Sequence, residues 1–324
     1  MSEVEEDVGL SDVTLEGEEE AHKGVGEDEK VQVCHLTQET IGQGLSLLCR
    51  TGNGLGHAFV KLDLKDKGLS DVAAVSSFIH IRFLDLSNNH LTDLSPLASL
   101  TQLLWLKVDS NAVAYFKGQP FSQLPYLQWL SMTVNRLTDL DGLVGPSLES
   151  LNLTGNGIQR ANLQSGCFAN LVTLELRGNQ LDTTGGISLP NLRKLYLAQN
   201  AIKRLEGLEK LERLTILHLR DNQLDSLDGL SPNMKCLQYL NIRGNAILDE
   251  NALQCLRFLS ETLRALVLSE NPLVETTDYR LSVLILLPQL ERLEKDPISH
   301  EERVEAQERI KELREEEISE PKDL

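Results

Sequence analysis

One phrase, leucine–x–leucine–x–x–asparagine–x–aliphatic, returns along this 324-residue chain at a nearly constant interval. Between Arg193 and Leu230 two copies stand side by side: Leu195, Leu197, Asn200 and Ile202, then Leu217, Leu219, Asn222 and Leu224. The asparagine recurs at Asn89, Asn111, Asn135, Asn156, Asn179, Asn200, Asn222, Asn245 and Asn271, in steps of 22, 24, 21, 23, 21, 22, 23 and 26. A tenth, weaker copy runs through Phe59, Leu62, Leu64 and Leu69, with Lys67 in the asparagine slot. Nine in-phase copies rule out coincidence and require a stack of similar units.

The phrase has a local physical meaning. Two leucines two residues apart leave an extended strand on the same side and point into a core. The asparagine carries two amide donors and an acceptor, so it can satisfy backbone groups that no helix or sheet reaches. The later apolar pairs, Leu205 with Leu208 and Leu227 with Leu230, return to the core from the opposite side. About 22 residues per unit leave room there for 3₁₀ turns or short helices only. One unit cannot bury its own leucines, so stability comes from its neighbours. These features are those of a leucine-rich repeat solenoid of α/β class: a curved parallel sheet on the concave face, short helices on the convex face, and helical caps.

Charge divides the chain into segments. The net charge is −18, of which residues 1–30 carry −10 and residues 299–324 carry −5. The acidity therefore lies in the tails, and the body offers no electrostatic footprint for nucleic acid or an anionic membrane. We expect an acidic disordered tail over 1–35, an N-terminal cap helix within 36–57, repeats over 58–275, a C-terminal cap over 276–297, and a charged helix with an acidic end over 298–324. In the N-terminal cap, Ile41, Leu45 and Leu48 have helical spacing from Thr37 to Cys49, stopped at Gly52–Gly54. Ser299 and Glu302 form a capping box. The helix that follows holds only Val304, Ala306, Ile310 and Leu313 as apolar residues, a weak coiled-coil pattern.

The five cysteines, Cys34, Cys49, Cys167, Cys236 and Cys255, are odd in number and show no paired spacing. With an acidic N-terminus and no long apolar run, they predict a reducing, intracellular compartment. The Asn152–Thr154 glycosylation triplet falls inside a repeat strand and reads as a product of the phrase. The seven histidines are scattered over different units. No zinc spacing, phosphate loop, nucleophile motif or paired-acid constellation stands out. The expectation is no enzyme activity, no metal, no cofactor and no small-molecule substrate. The product of such a fold is surface.

Residues flanking the strand leucines should line the concave face. By this parity Phe83, Trp105 and Trp129 form one outward ladder. Tyr196, His218 and Tyr239 form another, beside Arg177, Arg220 and Arg243. Trp, Tyr and Arg are enriched at interface hot spots, so these nine residues are the candidate protein-binding site; the alternative is that the rings serve the sheet itself.

The 22-residue intracellular repeat with this C-terminal cap resembles a class that includes phosphatase-regulatory, spliceosomal and axonemal proteins. The cap departs mildly, with Leu293–Glu294 where the class ends in Leu-Asp. A narrower resemblance lies in GLSLLCRTGNGLGHAFVKLDL (Gly44–Leu64), HLTDLSPL (His90–Leu97), LLWLKVDSN (Leu103–Asn111), LYLAQN, LHLRDNQ and YLNIRGN. In these stretches, roughly Gly44 to Leu293, the chain resembles a family of radial-spoke leucine-rich repeat proteins of motile cilia and sperm flagella. That resemblance implies a structural part in the third spoke's head and its bridge, needed for motility, with other radial-spoke and axonemal proteins as partners. It implies a place in the cytoplasm and cytoskeleton, at the axoneme of the cilium or flagellum. A regulatory leucine-rich repeat subunit of a protein phosphatase is the alternative.

Overall fold

The computed structural model describes residues 36–52, 54–275 and 279–319. The acidic tail expected over 1–35 and the last residues of the expected tail, 320–324, lie outside the described residues.

The repeats form one ribbon of very short strands. In chain order these are β1 (Leu45–Arg50), β2 (His57–Asp63), β3 (Phe83–Asp85), β4 (Trp105–Lys107), β5 (Trp129–Ser131), β6 (Ser150–Asn152), β7 (Leu163–Gln164), β8 (Thr173–Glu175), β9 (Ile187–Ser188), β10 (Lys194–Tyr196), β11 (Ile216–His218), β12 (Tyr239–Asn241), β13 (Ala265–Val267), β14 (Arg292–Leu293) and β15 (Asp296–Pro297). All except β7 and β9 make one 13-stranded sheet in sequence order; β7 and β9 pair separately. The sheet is parallel from β2 to β14 and closes at each end with one antiparallel partner. Register is uniform: Leu84, Leu106, Leu130, Leu151, Leu174, Leu195, Leu217, Leu240 and Leu266 are consecutive partners, all fully buried.

The opposite side is built from 3₁₀ segments. Ala73–Ser77, Ser95–Ser99, Pro120–Gln123, Leu208–Lys210 and Pro272–Glu275 are short, and Glu250–Leu259 runs for ten residues. In the last of these Leu253, Leu256 and Leu259 face the core, and the Asp249 side chain accepts from the Asn251 and Ala252 N–H groups at its start. The long interval before Asn135 is filled by Phe116 and Phe121, both in the core with rings edge to face at 5.6 Å.

The asparagines tie the units together. Asn222 Nδ2 donates to Leu219 O and Arg220 O of its own unit at 3.0 and 3.2 Å, and to Leu197 O of the preceding unit at 2.9 Å. Its Oδ1 accepts from Ile202 N, also in the preceding unit, at 3.0 Å. Asn89, Asn179 and Asn245 repeat the pattern. The turn that delivers each amide is tight. The residue before every one of the nine asparagines has positive φ, whether Gly155, Gly178 and Gly244 or the non-glycines Asn88, Ser110, Val134, Gln199, Asp221 and Glu270. Val134 stands out, since a β-branched residue is the most strained type in this region.

The N-terminal cap differs from expectation. Thr37 caps a helix and accepts from Thr40 N, but α1 covers only Gln38–Gly44, and Leu45–Arg50 is a strand rather than the helix continuing to Cys49. The exposed edge of β2 explains this. A row of unpaired backbone N–H and C=O groups needs a strand partner, which a helix cannot be. Gly44 lets the chain swing onto that edge: a Cβ there would sit 2.3 Å from Asp63 O. Gly54 and Gly56 therefore bond back to Thr51 in the connection of a hairpin instead of stopping a helix. Phe59, placed in the tenth copy of the phrase, is 44% exposed, and its neighbour Val60 takes the inward position.

At the other end α2 (Tyr279–Leu286) covers the last unit and packs against α3 (His300–Ser319). Glu294 Oε1 accepts from Leu268 N at 2.8 Å, where an interior unit would use the carbonyl of the next strand. The capping box forms: Ser299 N donates to Glu302 Oε2, and Glu302 N to Ser299 Oγ. Burial opposes charge on Glu302, yet the Ser299 N–H and the Arg280 guanidinium together hold its carboxyl below the usual range.

Two substitutions test the turn. Asn222→Ala leaves three carbonyls and one N–H without their partner, and should lower stability by at least about 2 kcal/mol in urea unfolding. Val134→Asn relieves the strained turn at a 58% exposed position and should raise stability by about 1 kcal/mol; an unchanged midpoint would refute the strain.

Candidate protein-docking face

Each short strand offers its first and third side chains to the concave face and its middle leucine to the core. Register then sets the neighbours. Phe83, Trp105 and Trp129 are successive partners in the first column. The two tryptophan rings stack at 4.6 Å with planes 7° apart. All three are half-buried, and none is a core residue.

A second aromatic group lies further along. Tyr196 and His218 are partners in the third column, with ring centroids 4.9 Å apart. Tyr239 belongs to the first column, opposite Ile216, yet its ring stacks on His218 at 4.9 Å. Tyr239 therefore leans diagonally along the sheet, which parity could not foresee. Between the two groups lie β6 and β8, with Ser150, Asn152, Thr173 and Glu175 on the face. The nine candidate residues thus form two islands, one of indoles and one of Tyr–His–Tyr.

The arginines belong to the second island. Arg177 Nε donates to Gln199 Oε1 at 3.1 Å. Arg220 pairs with Asp221 at 3.1 Å, and Arg243 pairs with Glu270. In all three cases the partner is the positive-φ residue beside an asparagine of the phrase. The tight turn thus serves the surface as well as the core.

Polar residues on the face are tied to one another. Asp109 Oδ1 accepts from Ser131 Oγ at 2.5 Å and from Thr133 N at 2.8 Å. Asn152 Nδ2 donates to Glu175 Oε2 at 2.9 Å, so the side chain of the apparent glycosylation triplet already holds a partner on the sheet. Burial, followed by the charge of Asp109, pushes the Glu175 carboxyl up. Burial also pushes the Tyr196 hydroxyl up, with Glu175 and Tyr239 adding to it. Burial lowers His218 to about 4, so it is a neutral imidazole between two phenol rings at physiological pH. Among the described residues no group of three or more His, Cys, Asp or Glu side chains could hold a metal ion.

The His218 shift has a pH signature. Unfolding restores an ordinary histidine, which takes up a proton near pH 6.5, while the folded chain resists until about pH 4. Stability should therefore be lost as pH falls from 6.5 to 4, by up to about 3 kcal/mol from this residue. Glu175, with its raised carboxyl, acts in the opposite sense. Urea unfolding at pH 7 and pH 4.5 should show a smaller acid loss in His218→Phe than in the parent; equal losses would refute the assignment.

Known proteins carry the same pattern. Leucine-rich repeat family profiles match residues 164–321, 80–100 and 146–160. Leucine-rich repeat-containing protein 23 of Homo sapiens is 49% identical over 293 residues, 89% of this chain and 84% of that protein. Its namesake of Mus musculus is 46% identical over 314 residues, 96% of this chain and 91% of that protein. Among solved structures, an internalin from Listeria monocytogenes superposes with a TM-score of 0.55 at 21% identity, covering 72% of each chain. A leucine-rich repeat protein of Leptospira interrogans gives 0.54 at 22% identity, covering 78% of this chain and 82% of that one. These two share the fold alone. With nearly half of its residues identical to the first two relatives along most of both chains, the protein belongs to the leucine-rich repeat-containing protein 23 family.

Proposed function

We propose that the protein is a non-enzymatic scaffold that binds other proteins through its concave face. The observation that carries this is the Trp105–Trp129 stack, two large rings held outward side by side on a strand ladder. Indole rings that served only the core would turn inward with the leucines. Here they leave a flat apolar surface partly open, next to carboxylates, and the Tyr–His–Tyr island repeats the motif beside three arginines. Rigid aromatic area of this kind binds with little loss of side-chain entropy.

Within that function we propose a structural place in the radial spokes of motile cilia and flagella, at the third spoke's head and its bridge. Family membership and the resemblance of the stretch from Gly44 to Leu64 support this, with other spoke and axonemal proteins as partners and the cytoplasmic axoneme as the location. The partners meet the sheet, not a catalytic cleft.

The double variant Trp105→Ala/Trp129→Ala should reduce capture of spoke proteins from axoneme extracts at least tenfold. Its unfolding midpoint should stay close to the parent's, because neither ring is in the leucine core. Unfolding of the variant, or undiminished capture, would overturn the docking role. In a ciliated cell the tagged chain should stay on detergent-extracted axonemes; recovery with a phosphatase catalytic subunit in non-ciliated cells would favour a regulatory subunit instead.

A further inference from the structure

The N-terminal hairpin leaves a groove beside the stack, lined by residues other than the concave-face candidates. Strand β2 starts at His57, whereas its register with β3 begins only at Lys61 opposite Phe83. The first residues of β2, with the end of β1, therefore overhang the stack. Among the described residues His57, Ala58 and Phe59 have no partner in β3, whose contact with β2 starts where Arg82 N donates to Val60 O at 2.7 Å. Beneath the overhang lies a groove of about 340 Å³.

Its walls have two kinds of chemistry. Cys49 and Ala58, direct partners across the hairpin, line it together with Val60 and Ile79. Ile79 is 51% exposed, although its neighbours in the turn, Phe78 and Ile81, pack inward. Arg50, His80 and Arg82 stand on the rim, all three exposed, and the neutral Thr51, Thr101 and Gln102 line the rest. Among the described residues neither guanidinium has a hydrogen bond or ion pair, and no carboxylate lines the groove. At Arg220, Arg243 and Arg280, by contrast, a carboxylate meets the guanidinium. Here two arginines flank an apolar strip with no carboxylate of the described residues paired to them.

We propose that this groove docks an acidic segment of a partner protein, a carboxylate lying against Arg50 and Arg82 and an apolar side chain resting on Ala58 and Ile79 above the buried Val60. Guanidinium groups grip carboxylates in paired hydrogen bonds. The volume suits two or three side chains, at the small end of binding sites. An inorganic anion would leave the apolar strip unused. A nucleic acid would extend past the groove onto a body without a basic patch, whereas a short acidic segment feels chiefly the local cations within a screening length of about 8 Å.

Display of random twelve-residue peptides against the full chain, with counter-selection on Arg50→Glu/Arg82→Glu, tests this. Enriched peptides should place Asp or Glu beside Leu, Ile or Phe. By fluorescence anisotropy a labelled winner should bind the charge-reversed chain at least tenfold more weakly and Arg50→Gln/Arg82→Gln at least threefold more weakly. It should bind Trp105→Ala/Trp129→Ala as it binds the parent, which separates this site from the concave face. The same peptide with its acids changed to Lys should prefer the charge-reversed chain, which shows that chain to be folded. Winners without acids, affinity indifferent to both arginine variants, or competition by inorganic phosphate or oligo-deoxythymidine at concentrations equal to the peptide's would each overturn the proposal.

Discussion

The buried asparagine amide is the interaction on which the rest depends. In each unit it bonds to carbonyls on both sides of a joint and accepts an N–H from the unit before. These backbone groups lie where the strand has ended and no helix has begun, so they would otherwise be buried without partners. The amide reaches them only because the preceding residue takes a left-handed turn. Glycine does this without strain; Val134 and five other non-glycine residues do it at a cost in backbone energy. The leucines supply the driving force for stacking, and the amides set how one unit sits upon the next.

Uniform stacking has a consequence for function. Strands of three residues cannot slip when both neighbours and the amide joint hold them, so a side chain's column follows from its place in the phrase. Trp105 and Trp129 occupy the same place in adjacent units, and they meet face to face. The turn residues contribute a second layer of order, since Gln199, Asp221 and Glu270 orient the arginines on the concave side. The same bends that close the core thus arrange the surface.

The ends of the ribbon solve the edge problem in different ways. At the start, an antiparallel strand closes the sheet and overshoots it, which leaves the groove under the hairpin. At the finish, a glutamate side chain stands in for a missing strand carbonyl, and α2 and α3 cover the last leucines. Neither end resembles an interior unit, as a stack with exposed terminal faces requires.

By itself the sequence determined the unit, the count of units, the inward leucines and the columns of the concave face, because these follow from a local period and from alternation along a strand. The strand positions of Phe83, Trp105, Trp129, Tyr196, His218 and Tyr239 were legible for that reason, and so was the Ser299–Glu302 box. Tertiary structure alone decided that Leu45–Arg50 would be a strand, since the need for it arises from the bare edge of β2 and not from the composition of the segment. It alone turned Tyr239 diagonally onto His218, split the aromatic face into two islands, and set Arg50 and Arg82 around an apolar groove. Those outcomes depend on contacts between residues distant in the chain, where packing and hydrogen-bond satisfaction outweigh local preference.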